Sequence, residues 1–218
     1  LEAIFDAEQL KTSLVDRVAW AGDAGFYQLI PIAVVLPSGE AQIKQLFHLS
    51  REYQTPLVFR AAGTSLSGQS ITNGILVDVS RFWQQATVLH QGKTVQVQPG
   101  IIGAKVNHLL SRYGKKIGPD PASINAAMMG GILANNASGM CCGVAHNSYH
   151  TLTGIRFMLP DGSVYDTRNP DDYARFENEQ GTLCKVLTEQ RQQLHANTGL
   201  YDKIRRKYRM KNTVGYSL

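Results

Sequence analysis

Cysteine is scarce in this sequence. The three present, Cys141, Cys142 and Cys184, are too few and odd in number for a disulfide framework. A long apolar run is also lacking: the longest uncharged apolar stretch, over residues 30–36, is far shorter than the roughly 20 residues that cross a bilayer. With 43% apolar and 18% charged residues, the composition excludes disordered, collagen-like and coiled-coil proteins. We expect a cytoplasmic location, with at most a peripheral association with the inner face of the membrane.

Positive charge exceeds negative charge by five, but the excess is confined to one place. Acidic and basic residues cancel over residues 1–200. The excess lies in one run of basic residues after position 200. A solvated helix face explains this run, and a docking surface for an acidic partner, an anionic lipid face or a nucleic acid is the alternative. A single run of this length is weak evidence for nucleic acid, and no such partner is expected. The run comprises Lys203, Arg205, Arg206, Lys207, Arg209 and Lys211.

The spacing of apolar residues predicts an N-terminal helix followed by a βαβ unit. Leucine and valine recur at helical spacing between residues 10 and 18, so we expect a helix over about residues 6–20. Buried strands are expected at residues 32–36 and 57–59, with an amphipathic helix between them. Because the joints are short, the two strands should run parallel.

A second lobe of different texture follows. We expect a fold of the α+β class with two lobes: a small βαβ lobe, and a larger lobe in which a mixed or antiparallel sheet has flanking helices. The elements predicted for the larger lobe are short strands over residues 75–79, 86–90 and 94–98, a helix over 103–113, a hairpin around Asp161-Gly162, and a late helix marked by Leu183, Val186, Leu187 and Leu194.

Small residues follow the second predicted strand, over residues 59–68. Without bulky side chains, consecutive backbone N–H groups can turn toward one point, and the hydroxyls of Thr64, Ser65 and Ser67 add donors. Such a concavity binds an anion with two or more charges, typically a pyrophosphate. An ordinary glycine-rich turn is the alternative. A nucleotide-hydrolysing P-loop and a Rossmann site are both disfavoured, because no Lys-Ser/Thr follows the last glycine and Gly-x-Gly-x-x-Gly is missing.

A second region of small residues lies about sixty positions further on, over residues 118–123 and 129–139. Its paired glycines are followed by alanine, asparagine and serine, a backbone that something flat and polar can approach closely. Two such regions suggest one extended ligand held at several points. An adenosine, a pyrophosphate and a flavin ring together would fit.

Four motifs, in the order in which they occur along the chain, resemble those of the FAD-binding domain of the vanillyl-alcohol oxidase and p-cresol methylhydroxylase superfamily. Within it, the sequence is most similar to the FAD-linked D-2-hydroxyacid dehydrogenases, the branch of D-lactate dehydrogenase, the glycolate oxidase flavin subunit and D-2-hydroxyglutarate dehydrogenase. The motifs are the loop from Arg60 to Gly68, the Pro119-Asp120-Pro121 turn, the run from Gly130 to Gly139, and Gly154-Ile155 before a Pro160-Asp161-Gly162 hairpin.

The resemblance implies a division of the chain into three parts. Residues 1–30 are expected to form an N-terminal helical extension, and residues 31–210 a PCMH-type FAD-binding domain. Residues 211–218 are expected to begin a truncated segment that leads to a substrate domain. The chain opens without Met and closes on Val214-Gly215-Tyr216-Ser217-Leu218, so we expect a fragment cut from a longer protein.

The resemblance also implies roles for individual residues. Covalent members of the superfamily place a His directly after the glycine of the first loop; Thr64 stands there, so we expect non-covalent FAD. Arg60 either adds charge near the pyrophosphate or ends its strand with a side chain directed to solvent. The backbone of Ile155 should meet the adenine end. The candidate pyrophosphate cradle is Arg60, Ala61, Ala62, Gly63, Thr64, Ser65 and Gly68, and the candidate lining of the ribityl chain and flavin is Asp120, Ser123, Gly130, Gly131, Asn135, Ser138 and Gly139.

The reaction implied is hydride transfer from the α-carbon of a small D-2-hydroxy acid to flavin N5, while a base removes the hydroxyl proton. Electrons would then leave to an iron–sulfur protein or domain, a quinone or a cytochrome, with a possible Fe–S cluster in the missing part of the parent chain. None of the six histidines matches the family's catalytic position, so the catalytic residues are expected beyond Leu218. A non-catalytic FAD- or nucleotide-binding module on the same fold is the alternative.

A metal site is the competing interpretation of Cys141-Cys142 with His146 and His150. The two histidines would share a helix face. Adjacent cysteines, however, rarely point at one ion, and structural zinc sites usually space their cysteines by two to four residues. We therefore expect no metal here.

Overall fold

Four short strands form the sheet of the first lobe in the computed structural model, which describes residues 1–210. The segment predicted to start at residue 211 lies outside the described residues. The strands are β1 (Leu10–Lys11), β2 (Ala33–Val35), β3 (Leu57–Arg60) and β4 (Ile75–Asp78), arranged in the order β1-β2-β4-β3. Strands β2, β4 and β3 are parallel, and β1 runs antiparallel to β2. The predicted strands do run parallel, but β4 lies between them. Placing the strand of residues 75–79 in the larger lobe is therefore wrong, because β4 pairs with β2 and β3 in the first lobe.

Burial explains which of these strands are central. Every residue of β2 and β4 is buried, and both strands are continuous apolar runs except at Asp78, as expected for parallel strands covered on both faces. Helix α2 (Glu40–Glu52) supplies the crossover and inserts Leu46, which is completely buried, beside Val35 and Val77. This apolar cluster is the core of the first lobe.

The N-terminal region differs from the prediction. The prediction of a helix over residues 6–20 is wrong, because Leu10 and Lys11 pair with β2 and helix α1 covers only Leu14–Ala19. Ser13 sets the start of this helix, since its hydroxyl accepts the N–H of Asp16 at 3.2 Å. The apolar spacing that suggested one long helix is divided between a strand and a helix with exposed valines.

The second lobe has its own core, in which Ile101, Val106, Leu110, Met129 and Ile132 are buried. Its strands form two separate antiparallel hairpins, and the α+β class with two lobes is confirmed. The elements are β5 (Ala86–Leu89), a 3-10 turn (His90–Gly92), β6 (Thr94–Val97), α3 (Gly103–Ser111), α4 (Met129–Ala134), α5 (Ser148–Thr151), β7 (Arg156–Met158), β8 (Val164–Asp166), α6 (Pro170–Glu179), α7 (Gly181–Ala196) and α8 (Thr198–Lys207).

The basic run falls on α8 and just after it, where the side chains that the structure describes are solvent-exposed. Arg205 lies over the ring of Tyr201, with 5.7 Å between the guanidinium carbon and the ring centroid. None of the helices within residues 1–210 is both long and apolar enough to cross a membrane.

Helix α2 also contacts the β7–β8 hairpin, so it joins the two lobes. At its first residue, Glu40 forms a two-pronged ion pair with Arg156, and the second prong measures 2.8 Å from Nη2 to Oε2. One turn later the stem of Lys44 lies over the α-carbon of Gly162. The hydrogen bond from Arg156 lowers the pKa of Glu40.

We predict that Glu40→Gln lowers the free energy of unfolding at neutral pH by less than about 1 kcal/mol, the range of solvent-screened ion pairs. A carboxyl whose pKa is lowered by folding stabilises the fold above its unfolded-state pKa, and this contribution is lost as the pH falls through its folded-state pKa. The difference between wild type and variant should therefore vanish in acid. Urea unfolding at several pH values measures it.

The matched control is Glu189→Gln, which removes an exposed pair within one helix at 3.9 Å from Lys185. Its free energy of unfolding should stay within error of wild type. A Glu40→Gln difference that persists unchanged at low pH would contradict the assignment to this ion pair.

Candidate functional site

The first small-residue loop begins at the carboxyl end of β3, the edge strand of the parallel part of the sheet. Ligands of open α/β sheets bind outside this end of the strands. Gly63 and Gly68 have φ values of +64° and +74°, a region that favours glycine. The chain turns sharply at both positions, and residues 61–68 form a curved loop rather than an extended connection.

Several backbone N–H groups of this loop form no hydrogen bond within residues 1–210. In the part of the chain that the structure describes, the N–H groups of residues 61–65 donate to no backbone or side-chain acceptor. The hydroxyl of Ser65 accepts the N–H groups of Ser67 and Gln69, each at 3.3 Å. Five successive free donors on half-buried residues are what an anion with several oxygens requires. The loop therefore fits a pyrophosphate.

Arg60 does not direct its side chain to solvent. Its Nη1 donates to the carbonyl oxygens of Trp20, at 3.1 Å, and Gly22, at 2.7 Å. The guanidinium also covers Gly63, because a Cβ built there would lie 2.5 Å from Arg60 Nε. Arg60 does end its strand, but the predicted direction of its side chain to solvent is wrong. A charge contribution near the pyrophosphate stays a prediction.

The second region is held together by close backbone contacts. Gly130 donates its N–H to the Pro99 carbonyl at 2.8 Å, and a Cβ at this glycine would lie 2.7 Å from Pro99 Cβ. The N–H of Asp120 donates to the carbonyl of Ser138 at 2.5 Å. Gly139, with φ +136°, brings its α-carbon against the Asp120 carbonyl, where no side chain fits.

Two neighbours of these glycines stay accessible. Gly131, in α4, would carry a Cβ with nothing within 4 Å, and the Asn135 side chain at the end of the same helix is exposed. On the adjacent turn, the Asp120 carboxylate pairs with Lys116 at 3.3 Å and is partly exposed. Ser123 is exposed as well. Open backbone beside amide, carboxylate and hydroxyl groups suits a flat polar ligand.

A short series of backbone contacts connects the two regions. The carbonyl of Arg60 accepts the N–H of Val79 at 2.9 Å, and the carbonyl of Val79 lies against the α-carbon of Gly100. Pro99, the residue before that glycine, is the partner of Gly130. Both small-residue regions are thus built around the chain that leaves the carboxyl ends of β3 and β4.

Ile155, the predicted adenine contact, has its backbone groups already paired. Its N–H donates to the hydroxyl of Thr167 at 2.9 Å, and its carbonyl accepts the N–H of Thr167 at 3.0 Å. Next to this pair, the guanidinium of Arg168 donates to Asp166 and lowers the pKa of that carboxyl to about 2. The contact between Ile155 and adenine stays a prediction.

The cysteine–histidine group does not form a cluster. Within residues 1–210, no three His, Cys, Asp or Glu side chains come together in a way that could hold a metal ion. Cys142 is buried with Sγ 3.3 Å from the Gly143 carbonyl oxygen, whereas Cys141 is exposed. His150 Nδ1 lies 2.7 Å from the side-chain oxygen of Asn147.

Several residues that shape the site were not predicted from the sequence. Buried Ser148 donates its hydroxyl to the carbonyls of Ile132, at 3.0 Å, and Ala137, at 2.9 Å, which closes the turn after α4. Asn136 occupies the left-handed region with φ +44°. Asparagine after a short helical run is typical of such a helix end, and this signal was available in the sequence. No local signal marks Ser148.

Comparison with known proteins identifies the family to which the chain belongs. Residues 31–168 match the family model of the FAD binding domain. D-2-hydroxyglutarate dehydrogenase of Escherichia coli (strain K12) is 32% identical over 161 residues, which cover 72% of this chain and 16% of that protein. Glycolate oxidase subunit GlcD of the same strain is 29% identical over 166 residues, 72% of this chain and 33% of the subunit. A structure of alkyldihydroxyacetonephosphate synthase superposes with a TM-score of 0.64 at 21% identity, covering 77% of this chain and 33% of that one.

The two-lobed α+β fold is therefore shared with alkyldihydroxyacetonephosphate synthase. More particularly, the chain belongs to the FAD-binding domain family, as the motifs predicted. It spans only 16–33% of the length of the curated relatives compared here.

We predict that Gly139→Ala destabilises the protein by about 2–4 kcal/mol, because the new Cβ meets the Asp120 carbonyl and φ is positive. Gly143→Ala is the matched control: its φ is +56°, but nothing lies within 4 Å of the built Cβ. Only the backbone cost of about 1–2 kcal/mol is expected there. Urea unfolding of both variants measures the difference, and equal losses would contradict the close approach of Asp120 and Gly139.

Proposed function

We propose that this chain binds FAD non-covalently, as the cofactor domain of an oxidoreductase that acts on a D-2-hydroxy acid. The row of free N–H groups at residues 61–65 carries the proposal, together with membership of the FAD-binding family. The relatives D-2-hydroxyglutarate dehydrogenase and glycolate oxidase subunit GlcD support the substrate class.

Each region of the site would have its own task. The backbone of residues 61–65 would donate to the pyrophosphate, helped by the hydroxyls of Thr64 and Ser65. Gly130 and Gly131 would allow close approach of the ribityl chain and flavin, with Asp120, Ser123, Asn135, Ser138 and Gly139 around them. Ile155 would lie at the adenine end.

FAD, when bound, would supply the hydride acceptor at N5 for the hydrogen on the substrate's α-carbon. The hydroxyl proton would leave to a base, giving a 2-oxo acid, and we assign no catalytic residue within this chain. A downstream acceptor such as an iron–sulfur protein or domain, a quinone or a cytochrome would then receive the electrons. We further propose that the protein works in the cytoplasm, with at most a peripheral membrane association, and that it is part of a longer protein.

Titration with FAD tests the first step. We expect saturable quenching of flavin fluorescence and a shift of the visible flavin bands. After acid precipitation the flavin should stay in the supernatant, since Thr64 offers no imidazole for covalent attachment. A protein that leaves the flavin spectrum unchanged at any concentration would overturn the proposal, and flavin retained in the pellet would overturn its non-covalent part.

We predict that Gly131→Ala weakens FAD binding at least about tenfold, roughly 1.4 kcal/mol, without loss of stability. The built Cβ meets nothing in the ligand-free protein, and alanine favours a helix over glycine by about 1 kcal/mol. The new methyl group should therefore oppose only the ligand. Flavin titration gives the affinity and thermal unfolding gives the stability.

The control is Gly199→Ala on α8, where a Cβ meets only the Asn197 side chain at 3.9 Å. FAD affinity should be unchanged in this variant. If Gly131→Ala bound FAD as tightly as wild type, the flavin would not approach this glycine.

Reduction of a dye by D-2-hydroxy acids separates an enzyme from a binding module that merely holds FAD. We expect the flavin-loaded parent protein to reduce the dye with at least one member of a panel of such acids. If the protein binds FAD tightly but none of the acids leads to reduction of the dye, the non-catalytic module is favoured.

A further inference from the structure

Residues 20–27 lie across the candidate pyrophosphate loop; we call this segment the N-terminal strap. Its Ala24 N–H donates to the Gly63 carbonyl at 2.9 Å. One residue on, Gly25 packs so closely on the loop that a Cβ there would lie 2.8 Å from the Leu66 carbonyl oxygen. The strap therefore touches the loop near its first sharp turn and along its middle.

Arg60 fastens the strap to the start of the loop. Its guanidinium donates to the carbonyls of Trp20 and Gly22 while it lies over Gly63. Only a residue without a side chain leaves room for the guanidinium at position 63. The guanidinium thus contacts the strap and the first sharp turn of the loop at the same time.

Side chains fix the strap at both of its ends. Trp20 Nε1 donates to the buried carboxylate of Asp78 at 2.8 Å, which anchors the strap to the end of β4. The Asp23 carboxylate accepts the N–H of Gly25 at 2.8 Å and the hydroxyl of Ser70 at 3.3 Å. The ring of Tyr27 lies against Gly68, 3.4 Å from the position of a built Cβ.

The loop has few internal bonds with which to hold its own shape. Within the described residues, the loop's own hydrogen bonds centre on the Ser65 hydroxyl, and residues 61–65 use none of their N–H groups. A loop whose N–H groups must stay free for a ligand cannot use them in hydrogen bonds within the loop. Contacts from outside then have to supply the order, and preorganisation of this kind reduces the entropic cost of binding.

We propose that the N-terminal strap is part of the cofactor site, and that Arg60 is a positioning residue that locks strap and loop together instead of contacting the pyrophosphate. The strap precedes the segment that matches the FAD-binding family, which begins at residue 31. The proposal rests on the proposed function, because the ligand held by the loop is FAD.

The first test is Gly25→Ala, compared with Gly181→Ala. A methyl group at position 25 meets the Leu66 carbonyl and pushes the strap away from the loop, whereas at position 181 nothing lies within 4 Å. We expect FAD affinity to fall at least about tenfold in Gly25→Ala and to be unchanged in Gly181→Ala. Equal affinities in both variants and wild type would overturn the role of the strap.

The second test separates positioning from direct contact and does not need the first variant to fold. Arg60→Lys keeps the charge but loses the planar guanidinium that reaches two carbonyls. Without FAD, we expect the Ala24 amide to exchange hydrogen faster in Arg60→Lys than in wild type. If Arg60 instead contacts the pyrophosphate, exchange at Ala24 stays as in wild type and only FAD affinity falls, which overturns the positioning role.

Failure of the proposed function gives a different result. If wild type does not bind FAD, the cofactor assignment falls, and exchange at Ala24 in the ligand-free protein still decides whether Arg60 holds the strap. If wild type binds FAD, the Ala24 amide should become more protected on binding. Binding without any change in its exchange rate would overturn the coupling of strap and ligand.

Discussion

Direct approach of one backbone to another, with no side chain between them, is the constraint on which the candidate site depends. Gly139 against the Asp120 carbonyl, Gly100 against the Val79 carbonyl and Gly130 against Pro99 all occupy positions where a Cβ would collide. Val79 directly follows β4, so the contacts at Gly100 and Gly130 connect the second region to the carboxyl end of that strand. They also explain why glycine is needed at these positions, whereas the N–H groups that stay free for a ligand belong to residues 61–65 of the first loop.

The same constraint makes the site dependent on support from elsewhere. Loops of small residues bury little apolar surface, so they are stabilised by what packs around them. In the second region that support is a buried serine, Ser148, bridging two carbonyls, and the apolar core around Met129 and Ile132. In the first region it is Arg60 and the strap. The Glu40–Arg156 pair has a similar place at the lobe junction, where it fixes the residue next to Ile155.

Local patterns predicted much of the fold, and long-range arrangement accounts for the misses. The βαβ unit, the hairpins and helix α3 follow from apolar spacing and turn residues that are close in the sequence. The insertion of β4 between β2 and β3 could not be predicted, since strand order depends on packing between distant segments. The same holds for Leu10, whose pairing with Val35 overrides its helical spacing. In the site, small residues marked both loops, but the carbonyl partners of Arg60 lie about 40 residues away and carry no sequence signal.

The division between cofactor and substrate follows from the same geometry. A cradle made of backbone would contact parts of FAD that are the same whatever the substrate. One fold can therefore serve many reactions. Alkyldihydroxyacetonephosphate synthase illustrates this. Its structure superposes with a TM-score of 0.64 at only 21% identity, and it is named for a different reaction from D-2-hydroxyglutarate dehydrogenase, which is 32% identical to this chain. Under the proposed function, side chains and not backbone would distinguish one hydroxy acid from another. Under the proposed function, the glycine-lined regions present mainly backbone, so groups outside them would select the substrate.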